Sequence, residues 1–520
     1  MSFERKLAAA GVTLVSGLVI GLATGCGAGY RPVVTPTSPA GPASQPQSLV
    51  AVISSPSTSS PGVANVIDYS GDTIMAEATL GPNPLAFTLD ETGSNGYTLN
   101  SDGTITNFPV STTLQQKNIT YSSLTSESNP VGFFSPSANF YAADLNGNAV
   151  DVFQSIPAVF KLTIPVDPTP IMVIGSSVVG QRDYAITQGA VSSPTACNTA
   201  PTSGPAGKAD GIEVSSDTVS SSLQLGKCPV FAVQSPDGRR LFVLNRGDDT
   251  ITVINSQLNT LDQCTPFKNQ AGQLVTCHPT LPLSTAGVTA SGVQPVNPST
   301  ANLQAIAGPV YAEYNTATSQ LVIADFDGGT ISIIDVSEDI YGNDANSYDA
   351  NGNITGGFGT TYTVKVGNGS TPNPASVTVL YDGSRAYTAN QNDDSTGNGT
   401  GNGTVSIVNI ASHTLEKTLA VNGHPRTVVS TQNSEQGKVY VASPDSPYLT
   451  ILRTDQDIVD TTVLVQGNVV DVRVSTQNGN SGNALNVSRI PGYGQPCNLS
   501  AQQLGTGSLS LDQCRAQTLQ

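Results

Sequence analysis

Tryptophan is missing from this chain of 520 residues, histidine occurs three times, and only 11% of the residues are charged. Without Trp, sugar recognition by aromatic stacking loses a strong contributor, although 16 Tyr remain. Lys and Arg number 21 against 38 Asp and Glu, giving a formal charge of −17, and no basic cluster interrupts this acidic excess. Phosphate backbones are bound through such clusters, so nucleic acid is not an expected partner. The chain has no Cys-x-x-Cys pair and no Cys-x-x-Cys-His haem attachment, and Cys277-His278 stands without a second ligand pair, so no metal and no cofactor is expected. A Gly-x-Ser-x-Gly elbow and a His-Glu-x-x-His pair are also lacking, which removes two common hydrolase signatures.

What is present is a repeat. Seven passages start with Pro and an apolar run, at Pro84, Pro130, Pro170, Pro229, Pro309, Pro374 and Pro425. Each is followed by a strand-like hexamer, such as Arg240 to Asn245 (RLFVLN) or Arg385 to Asn390 (RAYTAN). A polar turn and an alternating third strand come next, as in 249–255 (DTITVIN) and 403–409 (GTVSIVN); poorer third strands are expected at 211–217 and 448–454. Period-two alternation bounded by Gly, Asn and Asp is the signal of half-buried strands. Four antiparallel strands recurring every few tens of residues describe an all-β fold, the β-propeller, which hides sheet edges by radial repetition. The segments 49–54, 63–69 and 73–81 supply strands two to four of a unit that lacks strand one, and 468–475 supplies a strand one that lacks the rest. Joined, they close a ring of roughly eight blades; seven is the alternative, because the unit 171–226 is the least regular.

The stretch Ser235-Pro-Asp-Gly-Arg-Arg-Leu-Phe-Val-Leu-Asn245, followed by Asp249 to Asn255, resembles the bacterial YVTN-type propeller repeat, a group that includes lactonase-like propellers. Tyr381-Asp-Gly-Ser-Arg-Ala-Tyr-Thr-Ala-Asn390 is the next best match. The resemblance spans most of 48–475 and implies the fold; because the repeat is a structural consensus, it implies little about activity.

Arg5 and Lys6, the apolar run from Leu7 to Ala23, and Ala23-Thr24-Gly25-Cys26 form the succession of a lipoprotein export signal. An ordinary signal peptide and an uncleaved anchor are the alternatives, although seventeen residues rich in Gly and Ala are short for a membrane span. The expected organisation is a signal segment 1–25, a lipidated Cys26 with a Pro/Ser/Thr-rich tether to 47, a propeller 48–475 and a tail 476–520. Gly27 stands where lipoproteins kept in the inner membrane often carry Asp, so the chain is expected at the outer membrane or cell surface, with the membrane as one partner through the lipid. Exported chains meet an oxidising compartment. The other six cysteines fall into near neighbours, Cys197 with Cys228, Cys264 with Cys277 and Cys497 with Cys514, one of fifteen possible pairings.

Any site is expected where the turns between strands two and three meet the turns leading into strand one, at one mouth of the central channel. The candidates there are Arg246, Asp248, Asp249, Asp325, Asp327, His424 and Arg426. His424 two residues from Arg426 offers an anionic or carbonyl-bearing ligand two donors. The same Asn, Asp and Gly residues are also ordinary turn formers, and Arg426 also suits a neighbouring carboxylate. Asp349, Asn351 and Asn353 present alternate oxygens of the kind calcium takes, without the closing Glu of an EF-hand, and their Asn-Gly step equally makes a hairpin turn. The expected function is a non-catalytic binding or scaffolding module of the cell envelope, its partner an unidentified envelope protein or small ligand. The alternative is a lactonase-like hydrolase acting at the channel mouth.

The mature chain is expected to begin at a lipid-modified Cys26, which mass spectrometry of the N-terminal peptide reads directly. A Cys26→Ser variant should leave the membrane fraction or stay unprocessed, and a cleavage site elsewhere would contradict the assignment.

Overall fold

Alternation decides the architecture. A computed structural model describes residues 49–475 except 58, 69–70, 91–92, 111–118, 122–129, 135–138, 155–158, 176–181, 192–195, 269–271, 284–306, 340–341, 370–371, 394–402 and 432–436. Cys26, Cys497 and Cys514, the tether and the tail lie outside the described residues. The strands form eight antiparallel blades of four strand positions each. Blade 1 is composite, in the order Asn468–Ser475, Leu49–Ser55, Pro61–Asp68, Thr73–Pro82. Blades 2 to 8 open with Pro84–Leu89, Pro130–Phe134, Pro170–Gly175, Pro229–Gln234, Pro309–Asn315, Pro374–Val379 and Thr427–Ser430. Their first strands contact one another in sequence, and Asn468–Ser475 touches both Thr427–Ser430 and Pro84–Leu89, which closes the ring at eight.

The hydrophobic core is divided among the seams between blades. Strand two is buried on both faces, at every position in Arg240–Asn245, so alternate side chains serve alternate neighbours. In blade 1, Val50 and Val52 pack with Tyr440 and Ile451 of blade 8. Leu49, Ala51 and Ile53 pack with Phe87 and Phe108 of blade 2. Likewise Leu321 and Ile323 face blade 5 while Val322 and Ala324 face blade 7. A one-residue slip would exchange the two seams.

Proline stands first in strand one because its missing N–H is tolerated there. The residue before it turns the chain with a positive φ, at Asn83, Thr169, Cys228, Gly308 and Asn373. In six blades the register then shifts directly after the proline, an irregularity at the entry to strand one.

A second repeated device ties blade to blade. The left-handed residue before strand four, at Asp72, Asp217, Asn259, His413 or Asp457, receives a side chain from the preceding blade. Tyr387 donates to Asp457 and Arg385 pairs with it; Tyr184 donates to Asn259 at 3.2 Å; Tyr141 reaches Asp217 at 3.5 Å; and Tyr362 stacks on His413 with centroids 3.7 Å apart. At the closing seam Lys438 Nζ lies 2.6 Å from both oxygens of Asp72, with side chains 1% and 9% exposed.

Two details differ from the sequence expectation. The third strand of blade 4 is Ala206–Glu213 rather than 211–217, because the stretch after Arg182–Thr187 carries an insert with Cys197 that returns to the sheet early. The eighth blade's first strand starts at Thr427, two residues after its proline. Disulfides join Cys197 to Cys228 and Cys264 to Cys277. The first ties the blade 4 insert to the turn leading into blade 5, and the second closes a loop that follows Thr260–Leu261.

Lys438→Ala removes the ammonium that neutralises the nearly buried Asp72 carboxylate at the closing seam and is expected to cost about 3–5 kcal/mol in urea denaturation. The double change Lys438→Met with Asp72→Leu should recover most of that loss. An unchanged midpoint in the single variant would mean that the pair does not hold the seam.

Candidate functional site

The two sets of turns named as candidates meet on one rim of the ring, and their carboxylates act there on backbone. Asp248 Oδ2 accepts from Lys227 N at 3.0 Å, which fixes the turn into blade 5. Asp249 Oδ1 accepts from Ala307 N at 3.1 Å and Gly308 N at 2.7 Å, which fixes the turn into blade 6. Burial pushes the Asp249 carboxyl above its ordinary value, with Asp327 and Asp248 adding repulsion against the pull of those amides. Asp393, in the position of Asp248 but in blade 7, accepts from Asn368 N and Gly369 N. Arg246 makes a bidentate pair with Asp327 at 2.9 and 2.7 Å and lies over the Phe326 ring, bridging the rims of blades 5 and 6. Gly308 lies so close to the Asp327 carboxylate that any Cβ there would collide with it.

His424 and Arg426 do not converge on one point. His424 N and Nδ1 engage Asp445 at 2.8 and 2.6 Å, with both side chains about half exposed. Burial raises the Asp445 carboxyl, but the hydrogen bonds from His424 outweigh it, and the group sits below its usual range. Arg426 instead donates to Val470 O at 2.7 Å on the inner strand of blade 1. Asp349 accepts from Asn351 N, Asn353 N and Asn353 Nδ2 at 2.8 to 3.0 Å. The spacing that suggested calcium thus forms a closed turn, and among the described residues no group of three or more His, Cys, Asp or Glu is placed to hold a metal.

Asp325 differs from the other six candidates in being fully buried. It ends strand two of blade 6, where blades 2, 5 and 7 have Asn100, Asn245 and Asn390. Each Asn donates through Nδ2 to two hydroxyls of strand three, for example Asn245 to Thr250 and Thr252 at 3.1 and 2.9 Å. In blades 2 and 7 the Asn oxygen also accepts from Thr98 or Thr388, two residues earlier. Blades 5 and 6 have Val243 and Ile323 at that step, so Asn245 Oδ1 and Asp325 Oδ1 have no hydrogen-bond partner. Asp325 Oδ2 accepts from Thr330 and Ser332 at 3.1 and 2.7 Å. Desolvation nevertheless pushes its pKa up to about 7, against the pull of these two hydroxyl donors.

Sequence reasoning missed a second charged group at the opposite ends of the same two blades. Arg240, at the start of strand two in blade 5, is 1% exposed and faces Asp262 at 3.2 Å, Glu338 at 3.8 Å and Asp344 at 3.8 Å. His278 Nδ1 lies 2.6 Å from Asp344 Oδ2. The available signals were the doubled Arg239-Arg240 and the Cys277-His278 step; the acids come from inserts whose place the repeat does not set.

The fold defines the class as an eight-bladed β-propeller. No protein-family model matches the chain and no curated protein is significantly similar to it. Solved structures of similar shape include apo AztD from Citrobacter koseri, 10% identical, covering 84% of this chain and 99% of that one with a TM-score of 0.50. A crystal structure of the same protein is 9% identical, covers 82% and 97%, and has a TM-score of 0.51. A 6-phosphogluconolactonase-like propeller from Bacteroides fragilis is 12% identical over 84% and 99% of the two chains, with a TM-score of 0.48. At these identities the likeness is one of fold alone.

Asp325→Asn should stabilise the protein near neutral pH. The native acid holds its proton to about pH 7 while the unfolded acid loses it near 3.8, so wild-type stability falls as pH rises between these values. The Asn variant escapes that loss, by on the order of 2–4 kcal/mol at pH 8, and the gain should vanish below about pH 4. Equilibrium denaturation at several pH values checks this, and an equal gain at all pH values would contradict the buried-acid account.

Proposed function

We propose that this chain is an exported, lipid-anchored propeller that serves the cell envelope as a non-catalytic binding or scaffolding module. The observation that carries the reading is the commitment of the rim groups: Asp248, Asp249 and Asp393 hold turn amides, Arg246 and Asp327 hold each other, and Arg426 holds a carbonyl. A hydrolase needs an acid, a base and an oxyanion donor around one reacting atom. His424 meets Asp445 alone, which does not amount to that set. The disulfides at Cys197–Cys228 and Cys264–Cys277 suit an oxidising compartment. Among the described residues no helix is long and apolar enough to cross a membrane. The YVTN-type pattern at 235–255 supports an envelope propeller, and anchoring would rest on Cys26.

The purified full-length protein is expected to show no turnover of γ- or δ-lactones, while a thermal-shift screen of small envelope metabolites, together with crosslinking in intact cells, should find a saturable partner. Lactone hydrolysis that disappears in His424→Ala would replace this reading with the lactonase-like one.

A further inference from the structure

The buried charges around Arg240 form a closed circuit between two inserts. Asp262 faces Arg240 Nη2 at 3.2 Å through Oδ1 and accepts from His278 N at 3.0 Å through Oδ2. His278 Nδ1 meets Asp344 Oδ2 at 2.6 Å, and Asp344 Oδ1 returns to Arg240 at 3.8 Å. Arg240 also donates to Gly342 O at 2.7 Å. Asp262 and His278 flank the loop closed by Cys264–Cys277, whereas Glu338, Gly342 and Asp344 belong to the insert between strands three and four of blade 6. The same inserts touch again where Tyr348 donates to Leu274 O at 2.9 Å and where His278 stacks on Phe358 at 5.3 Å.

The circuit lacks positive charge. Asp237, Asp262, Glu338 and Asp344 face the two guanidiniums of Arg239 and Arg240, an excess of two negative charges in a site where Asp262 and Asp344 side chains are 0% exposed. Arg240 Nε, Asp262 Oδ1, Glu338 Oε2, Asn343 Oδ1 and Asp344 Oδ1 are buried without a hydrogen-bond partner. Buried net charge is costly and must be offset by a cation or by protons. No three of the described acids, His or Cys are placed to hold a metal ion. Protons remain, and the imidazole of His278, 30% exposed, is the group of the circuit that reaches solvent.

We propose that His278, with the carboxyls it faces, is a proton-operated latch that binds the disulfide-closed loop of blade 5 to the insert of blade 6 and releases them as pH rises. Asp344 from the blade 6 insert and Asp262 from its own loop face it directly; both also face Arg240, which Glu338 joins from the same insert, and beside it Arg239 pairs with Asp237 at the start of strand two. Their tendencies agree in sign. Burial lowers His278, but Asp344 and Asp262 outweigh it and raise the imidazole; burial raises Glu338 and Asp344. Each group therefore binds protons more tightly with the latch closed than open, so closure is favoured at low pH: the carboxyls lose their share as pH rises above their ordinary range, and His278 loses its share as pH rises from about 6.5 through its elevated native midpoint. This inference is independent of what the rim binds.

The test uses the full-length protein, with hydrogen exchange of 262–280 and 336–360 corrected for intrinsic rates and NMR titration of the three His. Protection of both inserts should fall about tenfold for each unit by which the His278 midpoint exceeds 6.5, while strand-two amides stay protected. His278→Gln, which keeps a donor without a titratable charge, should remove the step that follows the His278 midpoint and leave only the carboxyl part of the pH dependence at lower pH. Should the variant fold poorly, the wild-type titration still decides. A His278 midpoint at or below 6.5, an unchanged pH profile in His278→Gln, or calcium-dependent protection removed by chelator would each overturn the proposal.

Discussion

The pairing of Leu49–Ser55 with Asn468–Ser475 is the constraint on which the other seams depend. No blade has a core of its own, since the buried side chains of each strand two divide between the blades on either side. If these two strands part, blade 1 loses its inner strand and both its seams open together. Two-strand pairing contributes modestly on its own, and the seam on the blade 8 side is further secured by the buried Lys438–Asp72 pair. The charge pair thus sits where chain connectivity supplies no help, because the residues it joins are 366 apart in sequence.

At four other seams the same position is filled by contacts of a different kind. Tyrosine reaches an Asp or Asn in the next blade at three seams, and stacking on His413 serves another. The left-handed backbone at the receiving residue explains why Asp and Asn recur there: their short polar side chains tolerate positive φ and point toward the neighbour. Between blades 5 and 6 the device is replaced by Arg240 reaching into inserted chain. Where the repeat consensus fails, it fails because a different physical tie has taken its place.

Strands one and two were legible because each combines a local signal with a burial requirement that the repeat preserves. Proline marks the start of the first, and hexamers such as RLFVLN and RAYTAN read correctly to the residue. Blade closure was legible for the same reason: each terminus displays the strands that the other lacks. Blade 4 misled by several residues because its insert ends in Gly, Lys and Asp, which read as turn yet lie within Ala206–Glu213. The rim residues were located, but their roles were not, since an Asp that caps an amide and an Asp that binds a ligand are the same letter. The Arg240 circuit was hidden because its partners Glu338, Gly342 and Asp344 stand in an unrelated loop, Gly342 102 positions away.

The rim's commitment bears on chemistry as well as on structure. Asp249 holds two amides that set the turn into blade 6, with bonds that contribute roughly 1.5–3 kcal/mol each, even though burial and neighbouring acids leave its carboxyl above its ordinary range. A similar hold recurs where the repeat places a carboxylate on the rim, as at Asp248 and Asp393. Features peculiar to this chain come from the segments that interrupt the repeat, which in blades 5 and 6 are gathered around a buried charge.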